Sequence, residues 1–163
     1  MRLALLLLCM FCACAKKAPP ARFTSVSAGY SCEFPSGWQV HEREGGAMAA
    51  APDGASVSVT FFPKQDPQDF VKDHTRPGGP RKIDPGFVTA GTVAGLKSSE
   101  FTRELTEPSD MAHPNSPMIS VKEAYSVIES KNGFYAIVYS APAGVFERNM
   151  TSYGTLRDSF RLP

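Results

Sequence analysis

Three histidines, His41, His74 and His113, and four cysteines, Cys9, Cys12, Cys14 and Cys32, are the side chains best suited to chemistry in this chain. The histidines fall in separate segments, and none belongs to an HExxH pair that sets two imidazoles on one helix face. His41 stands beside Glu42 and Glu44, and His113 follows Asp110 closely. A fold that brought His41, His113 and nearby carboxylates within about 3 Å of one another would hold a general acid–base pair, suited to a hydrolase or a small-ligand protein. Left apart, the same residues are a polar strand end and a polar loop. No metal site and no cofactor are expected, and with no GxSxG, SxxK or P-loop pattern no catalytic residue is assigned. Asp66, Asp69 and Asp73 recur at helical spacing. Calcium takes six or more oxygen ligands, so these read as a solvated helix face. Arg76, Arg81 and Lys82 make a small basic loop that suits an acidic partner, lipid headgroups or plain solvent.

Cys9 and Cys12 spell CxxC, but inside a segment built for removal. Met1-Arg2 is a positive start, Leu3 to Phe11 is an unbroken apolar run, and Cys12-Ala13-Cys14 closes it with small residues. The run is shorter than the roughly 20 residues a spanning helix needs, and it matches the core of a secretory signal peptide, here residues 1–13. Phe11-Cys12-Ala13-Cys14 resembles the bacterial lipobox, with Phe11 in place of the usual Leu. The resemblance implies a diacylglyceryl group on Cys14 and cleavage before it. The alternative is an ordinary cleaved signal that frees a soluble protein. Each buried CH₂ contributes about 0.8 kcal/mol and stable anchoring takes two hydrophobic signals, so acylated Cys14 would hold the chain to a lipid bilayer. Ala15-Lys16 after the cysteine, rather than Asp, resembles the sorting pattern for the outer membrane, facing the periplasm. Cys32 then has no disulfide partner. It alternates with Tyr30 and Phe34, so it is expected to be a small buried hydrophobe, with a reactive thiol as the alternative.

The 163 residues suit one domain once the signal is removed, and 42% hydrophobic with 20% charged residues is a globular composition. The formal net charge is +1 and the signal takes Arg2 with it, which leaves a neutral domain. Phosphate binding needs a basic surface, so nucleic acid is excluded as a main partner.

Residues 14–29, with Lys16-Lys17 and Pro19-Pro20, read as the lipidated cysteine and a flexible tether, and 30–163 as the domain. A flexible chain of about 15 residues reaches roughly 20 Å. Tyr30 to Phe34, the Pro35-Ser36-Gly37 turn and Trp38 to Val40 predict strand, turn, strand, with Trp38 beneath the turn. Ala47 to Ala51 and Ala55 to Phe62 predict two further strands. Asp66 as N-cap with Pro67 at the first helical position predicts a short helix to His74, with Phe70 and Val71 inward. Phe87 to Val93 and Leu96 to Leu105 flank the Ala94-Gly95 turn. Met118 to Glu129 and Phe134 to Ser140 flank Asn132-Gly133, a strong hairpin signal. Phe134 to Ser140 is apolar or aromatic on both faces and predicts a central strand. Ala143 to Phe160 repeats apolar residues at helical spacing. The order predicts an α+β domain, an antiparallel sheet covered by helices.

Phe34-Pro35-Ser36-Gly37-Trp38 is similar to the FP-x-GW opening of the PsbP-like superfamily. Val93-Ala94-Gly95-Leu96 resembles its turn before a long strand. Tyr125 to Ile128, Asn132-Gly133 and Tyr135 to Pro142 resemble its closing hairpin, and Ser159-Phe160 the end of its last helix. The resemblance implies an α/β/α sandwich over about residues 30–163. It does not fix a function, since one fold hosts unrelated roles. The favoured expectation is a membrane-anchored, non-enzymatic binding or assembly module of the cell envelope. Its contacts with an envelope protein partner would come from the proline-rich loops 76–86 and 107–117. The other readings are the His41/His113 hydrolase or ligand site and an envelope structural protein without a discrete site.

Overall fold

Strand pairing starts earlier than the composition suggests. The computed structural model describes residues 19–76, 84–85, 87–110, 112–113 and 115–163. Within the stretch expected as tether, β1 (Ala21–Ser25) pairs antiparallel with β2 (Tyr30–Phe34), from Ala21 opposite Phe34 to Ser25 opposite Tyr30. Among the described residues, strand pairing therefore begins at Ala21, ahead of the expected boundary at Tyr30. The reason is aromatic: the Phe23 ring lies 6.0 Å from that of Tyr30 and 5.8 Å from that of Phe34. Gly29, at φ 64°, closes the hairpin in a conformation other residues resist.

The main sheet takes β3 (Gln39–Arg43), β4 (Gly46–Ala50), β5 (Ser56–Pro63), then after α1 (Pro67–Thr75) the short β6 (Asp84–Pro85), β7 (Thr89–Val93), β8 (Leu96–Pro108), β9 (Met118–Ser130) and β10 (Gly133–Pro142), and α2 (Phe146–Ser159) follows. Every pairing is antiparallel, in the order β3-β4-β5-β10-β9-β8-β6, with β7 also on β8. The Asn132-Gly133 turn forms as expected. A Cβ at Gly133 would lie 2.0 Å from the Phe62 carbonyl oxygen, so only glycine lets β5 approach there.

β10 is buried on both sides. Tyr135, Ile137 and Tyr139 enter a core shared with β2, β5 and α2 residues Phe146 and Leu156. Phe134 and Ala136 face the other way, onto Phe101, Tyr125 and Val127, with Phe70 and Val71 of α1 packed above. One face of the sheet thus carries α2 and the β1–β2 hairpin, the other α1. Asp66 caps α1, its carboxylate accepting from the Gln68 N–H at 2.8 Å. α1 buries none of its residues fully. Beyond it, Ser56, Ser58 and Thr60 on the same face stay half-buried. The full second helical layer of a sandwich is thus not present among the described residues; one short helix stands in its place.

The registers align Gln39, Ala50, Ser56, Ser140, Glu123 and Arg103 in one row across the sheet. Trp38, the β4–β5 turn, Pro142 and the connection from Pro108 to Met118 all lie beyond this row, at one end of the molecule.

Candidate functional site

Cys14, with Cys9, Cys12, Lys16 and Lys17, lies outside the described residues, as do Arg81 and Lys82 of the basic loop. His41 is exposed on β3, and His113 sits in the β8–β9 connection. β4, β5 and β10 separate β3 from β9. At about 4.8 Å per strand the two histidines are some 19 Å apart across the sheet alone. They do not converge, and the acid–base site that would need both is not assembled. No group of three or more His, Cys, Asp or Glu able to hold a metal occurs among the described residues. Asp69 meets Lys72 at 3.3 Å on the solvated side of α1. Cys32 is 1% exposed, and burial, with Glu33 adding to it, pushes its thiol up to about 12, so it stays protonated.

The structure assembles a cluster that no sequence spacing announced. Arg103 and Glu123 face each other across β8 and β9, with Arg103 Nε 2.5 Å from Glu123 Oε2. The Tyr125 hydroxyl donates to the same carboxylate oxygen at 2.6 Å, and the Arg103 guanidinium lies 5.1 Å from the Tyr125 ring centroid. Burial and the Glu123 charge push the Tyr125 phenol far up, so it is a hydrogen-bond donor and not a base. His74 closes the cluster from α1, its ring stacked 3.8 Å from Phe70 and its Nδ1 2.8 Å from the Phe70 carbonyl. Burial holds this imidazole below its usual value, and the neutral ring donates through Nδ1. Arg103, Glu123 and Tyr125 engage one another, while His74 bonds within its own helix and meets the Tyr125 ring at 5.4 Å, so ring packing seats α1 on β9.

The end of the molecule beyond the Gln39–Arg103 row has a different character. Asp110 organises the β8–β9 loop: its Oδ1 accepts from the Ala112 N–H at 2.9 Å and its Oδ2 meets His113 Nδ1 at 2.7 Å. Ser116 adds two bonds, accepting from the Asp110 N–H at 3.0 Å and donating to the Asp110 carbonyl at 3.2 Å. The His113 contact, then the Ala112 N–H, hold the Asp110 carboxyl below the usual range. The described residues of the loop are mostly exposed yet tied to one another by these bonds, and exposed Met118 follows. At the β3 edge of this end, a 600 Å³ groove runs between Pro19, Pro20, Pro35 and Trp38 on one wall and Arg148 and Thr155 of α2 on the other. The turn places Trp38: its N–H bonds the Pro35 carbonyl at 3.3 Å, with Gly37 at φ 77° between them. Asn149 donates to Asp53 at 2.9 Å and ties α2 to the β4–β5 turn.

This backbone arrangement has relatives among solved structures. The cyanobacterial PsbP, CyanoP, of Synechocystis sp. PCC 6803 superposes with a TM-score of 0.62 at 14% identity, covering 93% of this chain and 97% of that one. The fold is PsbP-like. The Ran-binding protein Mog1p of Saccharomyces cerevisiae gives 0.55 at 12% identity, over 89% of this chain and 96% of its own. LpqN of Mycobacterium tuberculosis, involved in cell envelope biogenesis, gives 0.50 at 13%, over 89% and 86%. No protein-family model matches the chain. No curated protein matches its sequence. Of Phe34-Pro35-Ser36-Gly37-Trp38, which carries the PsbP-like resemblance in the sequence, Pro35, Ser36 and Trp38 line the groove, and Phe34 is buried in the core.

Proposed function

We propose that this protein is an exported cell-envelope lipoprotein, anchored to a bilayer by acylated Cys14, whose PsbP-like domain is a non-enzymatic binding or assembly module. The observation that carries the reading is the Asp110-ordered loop: an exposed segment already fixed by its own hydrogen bonds loses little entropy on meeting a partner. Two proteins of the same fold point the same way by analogy, one a Ran-binding protein and one involved in cell envelope biogenesis. The partner is an envelope protein, and the neutral charge disfavours nucleic acid. The outer membrane, facing the periplasm, is the anchoring membrane that Ala15-Lys16 favours.

The test places a photocrosslinking side chain at His113 in the native envelope. One reproducible crosslinked protein, lost when 109–117 is replaced by Gly/Ser, is the expected outcome. If the partner survives that replacement, the loop is not its contact. Mass spectrometry of the mature N-terminus, with Cys14→Ser as control, decides the anchor separately.

A further inference from the structure

The chain between Cys14 and the fold is short. Ala21 is the first paired residue among the described ones, and roughly seven peptide units between it and Cys14 span at most about 25 Å even fully extended. As a flexible coil they span nearer 15 Å. A domain of about 140 residues is around 37 Å across, from a radius of gyration near 14 Å. A chain held at Cys14 therefore keeps the end from which β1 departs within about 25 Å of the surface, less than the width of the domain. Pro19 and Pro20 mark that departure, against the wall of the Trp38 groove.

We propose that the Trp38–Arg148 groove is a lipid-headgroup face, on which the domain rests against the bilayer that holds its own anchor. This rests on the acyl-anchor reading of Cys14. The occupant is the headgroup layer, because chain length brings that layer, before anything else, to the groove. Its chemistry fits. Half-buried Trp38 has the amphipathic ring that settles at membrane–water boundaries. Arg148 is exposed, its charge acts on the Asp53 carboxylate without a close ion pair among the described residues, and its guanidinium is suited to a lipid phosphate. Thr151 and Ser152 along the same wall supply hydroxyls for headgroup oxygens, while that of Thr155 donates to the Thr151 carbonyl at 3.0 Å. Met118 is 58% exposed at the same end of the sheet.

Trp38 is the single tryptophan of the chain, so the protein carries its own reporter. The acylated full chain is reconstituted into vesicles of phosphatidylethanolamine and phosphatidylglycerol, after mass spectrometry of its N-terminus. Docking predicts a blue-shifted Trp38 emission and quenching by lipids spin-labelled near the headgroup more than by lipids labelled at the chain end. It also predicts that acrylamide quenching falls by half or more relative to Cys14→Ser mixed with the same vesicles. Arg148→Glu, shown to melt at the parental temperature, should restore acrylamide access and remove the preference for anionic vesicles. An acylated chain whose Trp38 stays as open to acrylamide as in Cys14→Ser overturns the docking face and leaves the anchor standing. An unacylated Cys14 overturns both.

Discussion

Tyr135→Phe tests whether the β1–β2 hairpin is part of the fold or an appendage. The Tyr135 ring packs 4.7 Å from Phe61, 5.3 Å from Phe160 and 6.0 Å from Tyr30, and all three contacts survive the substitution. Only the hydroxyl is lost, and with it the 2.7 Å bond to the carbonyl of Ala28 in the hairpin turn. The phenol is pushed up by burial, so no charge is removed at neutral pH. A neutral hydrogen bond is worth about 1 kcal/mol net, and a buried acceptor left unpaired costs about 1–3 kcal/mol. With Tyr135 and Ala28 each 5% exposed, about 2 kcal/mol is expected. For a chain of this size that is a fall of about 4–8 °C in Tm. Denaturant titration should show a lower midpoint at unchanged slope. Hydrogen exchange should show residues 21–34 losing protection while β9 and β10 keep theirs. An unchanged Tm, or protection lost evenly across the sheet, would refute the idea that Tyr135 clamps the hairpin.

Three further outcomes follow from the same geometry. Because burial depresses the folded-state value of His74, the unfolded chain binds the proton first as pH falls below about 6.5. Its contribution is therefore present above that pH and lost below it, so His74→Gln should flatten the stability–pH slope between about pH 7 and 5; identical slopes would reject the assignment. Glu123→Ala leaves Arg103, 15% exposed, without its partner, and should cost about 2–3 kcal/mol. Arg103→Met combined with Glu123→Leu should recover most of that, and strictly additive losses in the double-mutant cycle would show the pair to be uncoupled. Gly154 has open space around it in α2, so Gly154→Ala should raise stability by about 0.5–1 kcal/mol. Gly46→Ala would set a Cβ 1.9 Å from the Val59 carbonyl and should break the β4–β5 pairing; equal melting temperatures for the two variants would contradict both readings.

The elements with local chemistry were legible from the residues. Asn132-Gly133 marked the central hairpin, Asp66-Pro67 marked α1, and alternation about Cys32 marked it as buried. β1 was not, because Ala21–Ser25 holds one aromatic and follows two prolines, so its composition is that of a linker. What makes it a strand is Phe23 against Tyr30 and Phe34, a contact created by pairing. The Arg103–Glu123–Tyr125–His74 cluster was hidden for the same reason: its members become neighbours through the β8–β9 register and the docking of α1. His41 and His113 show the converse. Their types invited an active site, and strand order alone kept them apart. The Asp110 loop was legible as a proline-rich connection, but its internal bonding was not, because it depends on Ser116 reaching back to Asp110.

On the proposed acyl anchor at Cys14, the pairing of β1 from Ala21 would also set a concentration. A domain leashed within about 25 Å of a surface shares a half-sphere equivalent to tens of millimolar with whatever lies on that surface. Interactions too weak to detect between free molecules, with Kd near a millimolar, would be mostly occupied under those conditions. Unzipping the hairpin would lengthen the leash and dilute that encounter. In an anchored chain the stability of one small two-stranded sheet would therefore adjust how strongly the whole domain engages its surroundings, with no change at any contact surface.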